Sequence, residues 1–109
     1  MGYNTFFQIR SDDTLLNDDE HEVRITDFVS KKYGSIYSEH YNLFEEDCKW
    51  YDYDDHMREY SKQFPETLFE LEGRGEALDD FWICYYKNGK AQHCQGYIDY
   101  ETFDEEKLT

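Results

Sequence analysis

The amino-acid sequence predicts an α+β fold: an antiparallel sheet of about four strands with two helices packed on one face. Three observations lead there. The run "FWICYYKNGKAQHCQGYI" (81–98) holds Asn88-Gly89 between two β-rich stretches, the pattern of a two-residue hairpin turn. Two segments repeat large apolar residues at helical spacing: Ile25, Phe28, Val29, Tyr33 and Ile36, then Tyr53, Met57, Tyr60 and Phe64. Two further short runs, "YNTFFQIRS" (3–11) and "TLFELEG" (67–73), read as strands. With 109 residues, no internal repeat and no linker, the chain reads as one domain over residues 1–109.

Taken in order, the opening strand ends in the turn-like "SDDT". The helix that follows has Asn17, Asp18 and Asp19 available to cap its start. Lys31 and Lys32 suit the negative pole at its end, and Gly34 is placed to stop it. Residues 35–48 read as a second short helix or an irregular loop, and "CKWY" (48–51) as a short strand or an entry segment.

The stretch "KWYDYDDHMREYSKQF" (49–64) crowds three aspartates, three tyrosines and a tryptophan together. Much of that crowding has a structural explanation. Tyr53, Met57, Tyr60 and Phe64 form one helical stripe. Asp52 is placed to cap the helix, Asp54 and Asp55 fall in its first turn, and Pro65 ends it. "TLFELEG" then alternates, with Phe69 and Leu71 on one face and Glu70 and Glu72 on the other.

"GRGEALDD" (73–80) reads as a turn-rich loop. A type I′ turn at Asn88-Gly89 sets Tyr86 opposite Ala91, Cys84 opposite His93, Ile83 opposite Cys94 and Trp82 opposite Gln95. Cys84 and Cys94 then point to opposite faces and cannot pair. "DYETFDEEKL" (99–108) closes the sequence as a strand end or a tail.

Composition narrows function. There are 26 acids against 11 bases, a net charge of −15, and aromatics reach 19%. Disordered acidic chains lack so many rings, so a folded acidic domain is expected. The acids run through the whole chain, so the charge belongs to the folded body and not to an acidic tail. Such self-repulsion costs stability, and a basic partner would explain it. Direct binding to nucleic acid or to an anionic membrane is disfavoured. No apolar run of 18 residues and no signal-peptide pattern occurs, and three cysteines (48, 84, 94) show no C-x-x-C spacing. The expectation is a cytoplasmic protein of a bacterial host cell with reduced thiols.

Catalytic and metal chemistry find little footing. His21, His40, His56 and His93 are scattered singly, and a Cys84–His93 pair supplies only two ligands. "DYDDHM" opens like a calcium loop, but Met57 stands where the glycine belongs and Gln63 where the bidentate glutamate belongs. No serine lies in G-x-S-x-G, and "GRGEA" lacks the G-K-[ST] of a phosphate loop. Glu72, Glu76, Asp79 and Asp80 around a glycine loop offer a divalent-ion site, but acids populate solvated loops readily. No catalytic residue, metal ligand or cofactor is therefore assigned.

An acidic interaction surface remains. If Phe69 and Leu71 face the helices, Glu70 and Glu72 face outward. Trp82 and Tyr86, or else Phe81 and Tyr85, then share that exposed face with them. Rings supply binding energy and carboxylates supply steering. The candidate partner-binding residues are Asp52, Asp54, Asp55, Glu70, Glu72, Glu76, Asp79, Asp80, Trp82 and Tyr86. One exposed aromatic face also leaves room for a homodimer.

The second half of the chain resembles a group of small bacterial and phage proteins. Their pattern is a W-Y-D helix start, S-K-x-F/Y-P, L-F-x-L-x-G-x-G-E and D-x-W-x-x-Y-F-x-N-G-K. The matching residues are Trp50-Tyr51-Asp52, Ser61 to Pro65, Leu68 to Glu76 and Asp80 to Lys90, with Tyr86 in place of phenylalanine. The likeness covers about half the chain and carries no activity with it. In overall character the chain is similar to phage anti-CRISPR and anti-restriction inhibitors, many of them small, acidic and enzymatically inert, some of them DNA mimics. That similarity implies a non-enzymatic inhibitor that blocks the basic nucleic-acid-binding surface of a bacterial defence nuclease or complex. The alternatives are an immunity protein or antitoxin against a basic toxin and, with less support, a small metal-dependent hydrolase.

Overall fold

A computed structural model describes residues 3–33, 42–45 and 47–109. Four strands, β1 (Thr5–Ser11), β2 (Phe69–Gly75), β3 (Phe81–Lys87) and β4 (Lys90–Gln95), form one sheet in the order β1-β2-β3-β4. Every neighbouring pair is antiparallel. Helices α1 (Asp18–Tyr33) and α2 (Tyr53–Ser61) pack on one face. The predicted α+β architecture is therefore the one observed. Gly34 and Ile36, read as the stop and the last stripe residue of the first helix, lie outside the described residues.

Local signals account for most boundaries. Asn17 Oδ1 accepts from the Glu20 amide at 2.8 Å while Glu20 Oε1 reaches back to the Asn17 amide at 3.4 Å. This reciprocal pair satisfies two amides that a helix start leaves without partners. Asp18 is used differently: its carboxylate accepts from the Ser11 amide at 2.9 Å and ties the end of β1 to the start of α1. Asp52 occupies the cap position of α2 but its side chain makes no capping bond. The helix closes at Ser61, and a series of turns leads to Pro65, so Pro65 does not itself terminate it. Asn88 (φ 48°) and Gly89 (φ 80°) both take the left-handed backbone that a type I′ turn requires. The four cross-strand pairs read from that turn are all present.

One further expectation needs correction. β2 runs on through Gly75, so Gly73-Arg74-Gly75 belong to the sheet and only residues 76–80 form the loop. Beyond Gly96, which still pairs with Phe81 O at 2.9 Å, residues 97–109 are exposed throughout. Only one short 3₁₀ turn (Glu105–Lys107) forms there, so of the two readings the sequence left open, strand end or tail, the tail is the one observed.

The core is a stack of rings between sheet and helices. Phe7, Trp50, Tyr60, Phe69 and Tyr86 are almost wholly buried, filled in by Ile25, Val29, Leu43, Met57 and Leu71. Three of the buried rings find partners for their polar atoms. Trp50 Nε1 donates to His56 Nδ1 at 2.8 Å, Tyr86 Oη donates to Asp54 at 3.0 Å, and Tyr60 Oη meets His21 Nδ1 at 2.8 Å. His21 Nε2 in turn meets Asp13 at 2.8 Å. Among the described residues no buried side-chain nitrogen or oxygen lacks a partner. Rings that satisfy their own polar ends let a chain of few aliphatic residues build a core.

Candidate interaction surface

The α2 start and the 76–80 loop come together at one end of the molecule, joined by two tyrosines. Tyr51, directly before Asp52, accepts from the Tyr3 amide through its hydroxyl at 2.9 Å. The Tyr3 hydroxyl donates to Asp80 at 2.6 Å and accepts from the Ala77 amide at 3.0 Å. The Asn4 amide donates to Glu76 at 2.9 Å. Asp80 closes the loop on itself, its carbonyl accepting from Gly75 N at 2.8 Å. Beneath, Tyr53 stacks on Trp82 with ring centroids 4.6 Å apart. Residues 3–4, 51–55 and 76–80 thus form one continuous end, with Tyr51 60% and Tyr3 40% exposed.

The carboxylates at this end differ in how far they are committed. Asp54 accepts from Arg58 Nε at 2.9 Å as well as from Tyr86, so it belongs to the fold. Glu76 and Asp80 hold the chain's first strand through Asn4 and Tyr3. Asp52, Asp55 and Asp79 are exposed and enter no ion pair among the described residues. Asp47 lies against the same end, lining with Asn4 and Glu76 a hollow of about 440 Å³.

The field of these acids reaches the core. Burial lowers the pKa of His56, and Asp52 and Asp55 oppose that shift. Burial raises the Tyr53 phenol, with Asp54 and Asp80 adding to the effect.

Glu70 and Glu72 are elsewhere, on the sheet face that no helix covers. There each meets a base: Arg10 lies 3.7 Å from Glu70 and Arg74 lies 3.7 Å from Glu72. Trp82 and Tyr86 are not on that face. Both are buried against the helices, because the pleat that sends Phe69 and Leu71 inward pairs them with Tyr86 and Cys84, and Trp82 falls on the same side. Of the two ring pairs left open by the sequence, Phe81 and Tyr85 share the open face with Glu70 and Glu72.

Other chemistry is sparse. Among the described residues no group of three His, Cys, Asp or Glu could hold a metal ion. The Asp13–His21–Tyr60 chain resembles a relay on paper, but His21 and Tyr60 are buried and both imidazole nitrogens are spent on internal partners. It pins β1's exit and α1 to α2. Asp13 is held below the usual carboxylate range, first by the Leu15 amide and then by His21. Cys48 and Cys84 are buried, Cys94 is half-buried, and none of the three forms a disulfide. Among the described residues no helix is long and apolar enough to cross a membrane.

Sequence reading missed Tyr3 and Tyr51 as the pieces that join the two acidic segments. No local periodicity relates Tyr3 to a residue 77 positions away. Only the antiparallel run of β1 beside β2 brings them together. No family model matches the chain, and no curated protein or solved structure matches it.

Proposed function

We propose that this chain is a non-enzymatic binding protein of the nucleic-acid-mimic kind. It presents the carboxylates of its acidic end to the basic nucleic-acid-binding surface of a partner, a bacterial defence nuclease or complex of the anti-CRISPR or anti-restriction type of target. The observation that carries this reading is the meeting of the 51–55 and 76–80 segments around exposed tyrosines, with Asp52, Asp55 and Asp79 uncommitted. Carboxylates held on a rigid helix start and a closed loop can take bidentate arginines where phosphates would otherwise lie. The adjoining rings add contact area at low entropic cost. The overall charge steers a basic partner toward that end.

The test is capture of partners from bacterial lysate by the full chain, at about 0.1 M and about 1 M salt, where the screening length falls from about 10 Å to about 3 Å. One basic nucleic-acid enzyme is expected, retained at low salt and lost at high salt. The Asp52→Lys/Asp55→Lys/Asp79→Lys variant should lose it as well. Retention of the enzyme by that triple variant rejects the reading. Capture of a small basic toxin instead would reassign the chain as an immunity protein or antitoxin.

A further inference from the structure

The groove between α1 and the end of α2 differs in charge from the acidic end. Arg24, Asp27, Phe28 and Lys31 recur at helical spacing and so lie along one side of α1. Facing them are Tyr60, near the end of α2, and Gln63 and Phe64 in the turns that follow. Between them is a hollow of about 390 Å³, the scale of a small-molecule site. Its floor is aromatic. Tyr60 is buried, and the half-buried Phe28 and Phe64 have ring centroids 5.7 Å and 5.4 Å from its own.

The rim is cationic. Arg24, Lys31 and Lys32 stand exposed on it with one acid, Asp27. Lys31 lies 3.0 Å from Asp27; Lys32 lies 3.1 Å from Glu59, which Lys62 also meets at 2.8 Å. Counted together, Arg24, Lys31, Lys32 and Lys62 are four bases against two acids, Asp27 and Glu59. Arg24 itself enters no ion pair among the described residues, on a chain with 26 acids. Its charge reaches the floor. Burial raises the pKa of the Tyr60 phenol, Arg24 opposes that shift and Asp13 adds to it. Asp13 is spent on His21 at 2.8 Å. Lys32 stands over the Phe28 ring, 5.4 Å from its centroid.

We infer that this groove binds a small organic anion built on a flat ring, the ring lying on Phe28 and Phe64 and the anionic group on Arg24 and Lys31. Floor and rim together select that class. An aromatic floor takes a flat apolar group, and an arginine without a carboxylate takes an oxyanion through two parallel N–H bonds. A bare anion would leave the rings uncovered, an uncharged ring would leave Arg24 without a partner, and a cation would meet the excess of bases. Lys31 can turn to the ligand at little cost, because its pair with Asp27 is exposed on both sides. Phosphate and carboxylate supply the same oxyanion chemistry, and the choice of probe tells them apart.

NMR titration of the full chain with adenosine monophosphate, benzoate, adenosine and inorganic phosphate tests this. Adenosine monophosphate, benzoate or both should shift the amide signals of residues 24–32 and 60–64. Response to one of the two alone assigns the head group. Adenosine and inorganic phosphate, each lacking one half of the ligand, should bind roughly 10-fold more weakly. Arg24→Gln, on an exposed side chain, should keep the melting temperature and weaken the ring-bearing anion roughly 10-fold. Asp27→Asn, which removes the acid from the rim, should strengthen it. Absence of shifts with both ring-bearing anions up to about 10 mM overturns the inference. So do equal shifts with inorganic phosphate alone, shifts centred on Lys87 and Lys90, or binding indifferent to Arg24→Gln. The groove shares no residue with Asp52, Asp55 and Asp79, so the two proposals fail separately.

Discussion

Glu72 and Asp79 are both acids of the β2–β3 region, seven residues apart, yet they have different surroundings. Glu72 stands on a strand whose neighbour two positions on is Arg74, and the pair cancels within the open face. Asp79 stands exposed in the tight loop that Glu76 and Asp80 tie to Asn4 and Tyr3, and enters no ion pair among the described residues. An acidic total therefore says little about where a field is strong. What matters is whether secondary structure places a base within reach of each acid: the sheet does so for Glu70 and Glu72 and α2 does so for Asp54, while Asp52, Asp55 and Asp79 enter no ion pair among the described residues.

The largest effect should come from breaking the arrangement that buries Trp82. Gly73 lies directly under that indole, and an added Cβ would sit 2.2 Å from its ring carbons. Gly73→Ala is expected to cost about 3 kcal/mol, the upper range for overpacking, and to lower the melting temperature by more than 10 °C. A melting curve within 2 °C of the parent would mean that the ring can be relocated, and the division between covered and open face with it.

Next, Asp52→Lys/Asp55→Lys/Asp79→Lys should weaken a basic partner roughly 100-fold, at about 1 kcal/mol for each charge lost. Calorimetric titration reads that number. The same variant should melt no lower than the parent, since it relieves self-repulsion.

Acid should also discriminate between the regions. His56 accepts from Trp50 while neutral, and burial depresses its pKa. Below about pH 6.5 the unfolded chain binds a proton that the folded chain resists, so this contribution to stability is lost as pH falls through that window. A histidine titration by NMR should place His56 below 6.5. Asp52→Asn/Asp55→Asn should lower it further, because both aspartates favour the charged imidazole. No movement would mean that the acidic end exerts no field on the core.

The smallest effect belongs to the open face. Removing Arg10 and Glu70 together should change stability by less than about 0.5 kcal/mol, because an exposed pair at 3.7 Å contributes little. Chemical denaturation would detect a larger change.

Much of the fold was legible because it rests on short-range rules. Asn88-Gly89 dictated the hairpin and its register, and the Tyr53–Met57–Tyr60–Phe64 stripe dictated which side of α2 turns inward. The candidate surface was half legible. The 52–55 and 76–80 acids were identifiable as exposed groups, but their meeting depends on Tyr3 and Tyr51, which lie far apart in sequence. The misplacement of Trp82 and Tyr86 has a similar origin. Strand β3 carries aromatic or apolar residues at every position from 81 to 86, so alternation within it cannot tell one face from the other. Only its pairing with Phe69 and Leu71 decides.

The two indoles have one practical consequence. Trp50 and Trp82 are both shielded from water, one bonded to an imidazole and the other stacked on a phenol. The chain therefore carries its own optical probes. Blue-shifted emission should report the intact core, and dimming of Trp50 in acid should report the proton arriving on His56, with no label attached.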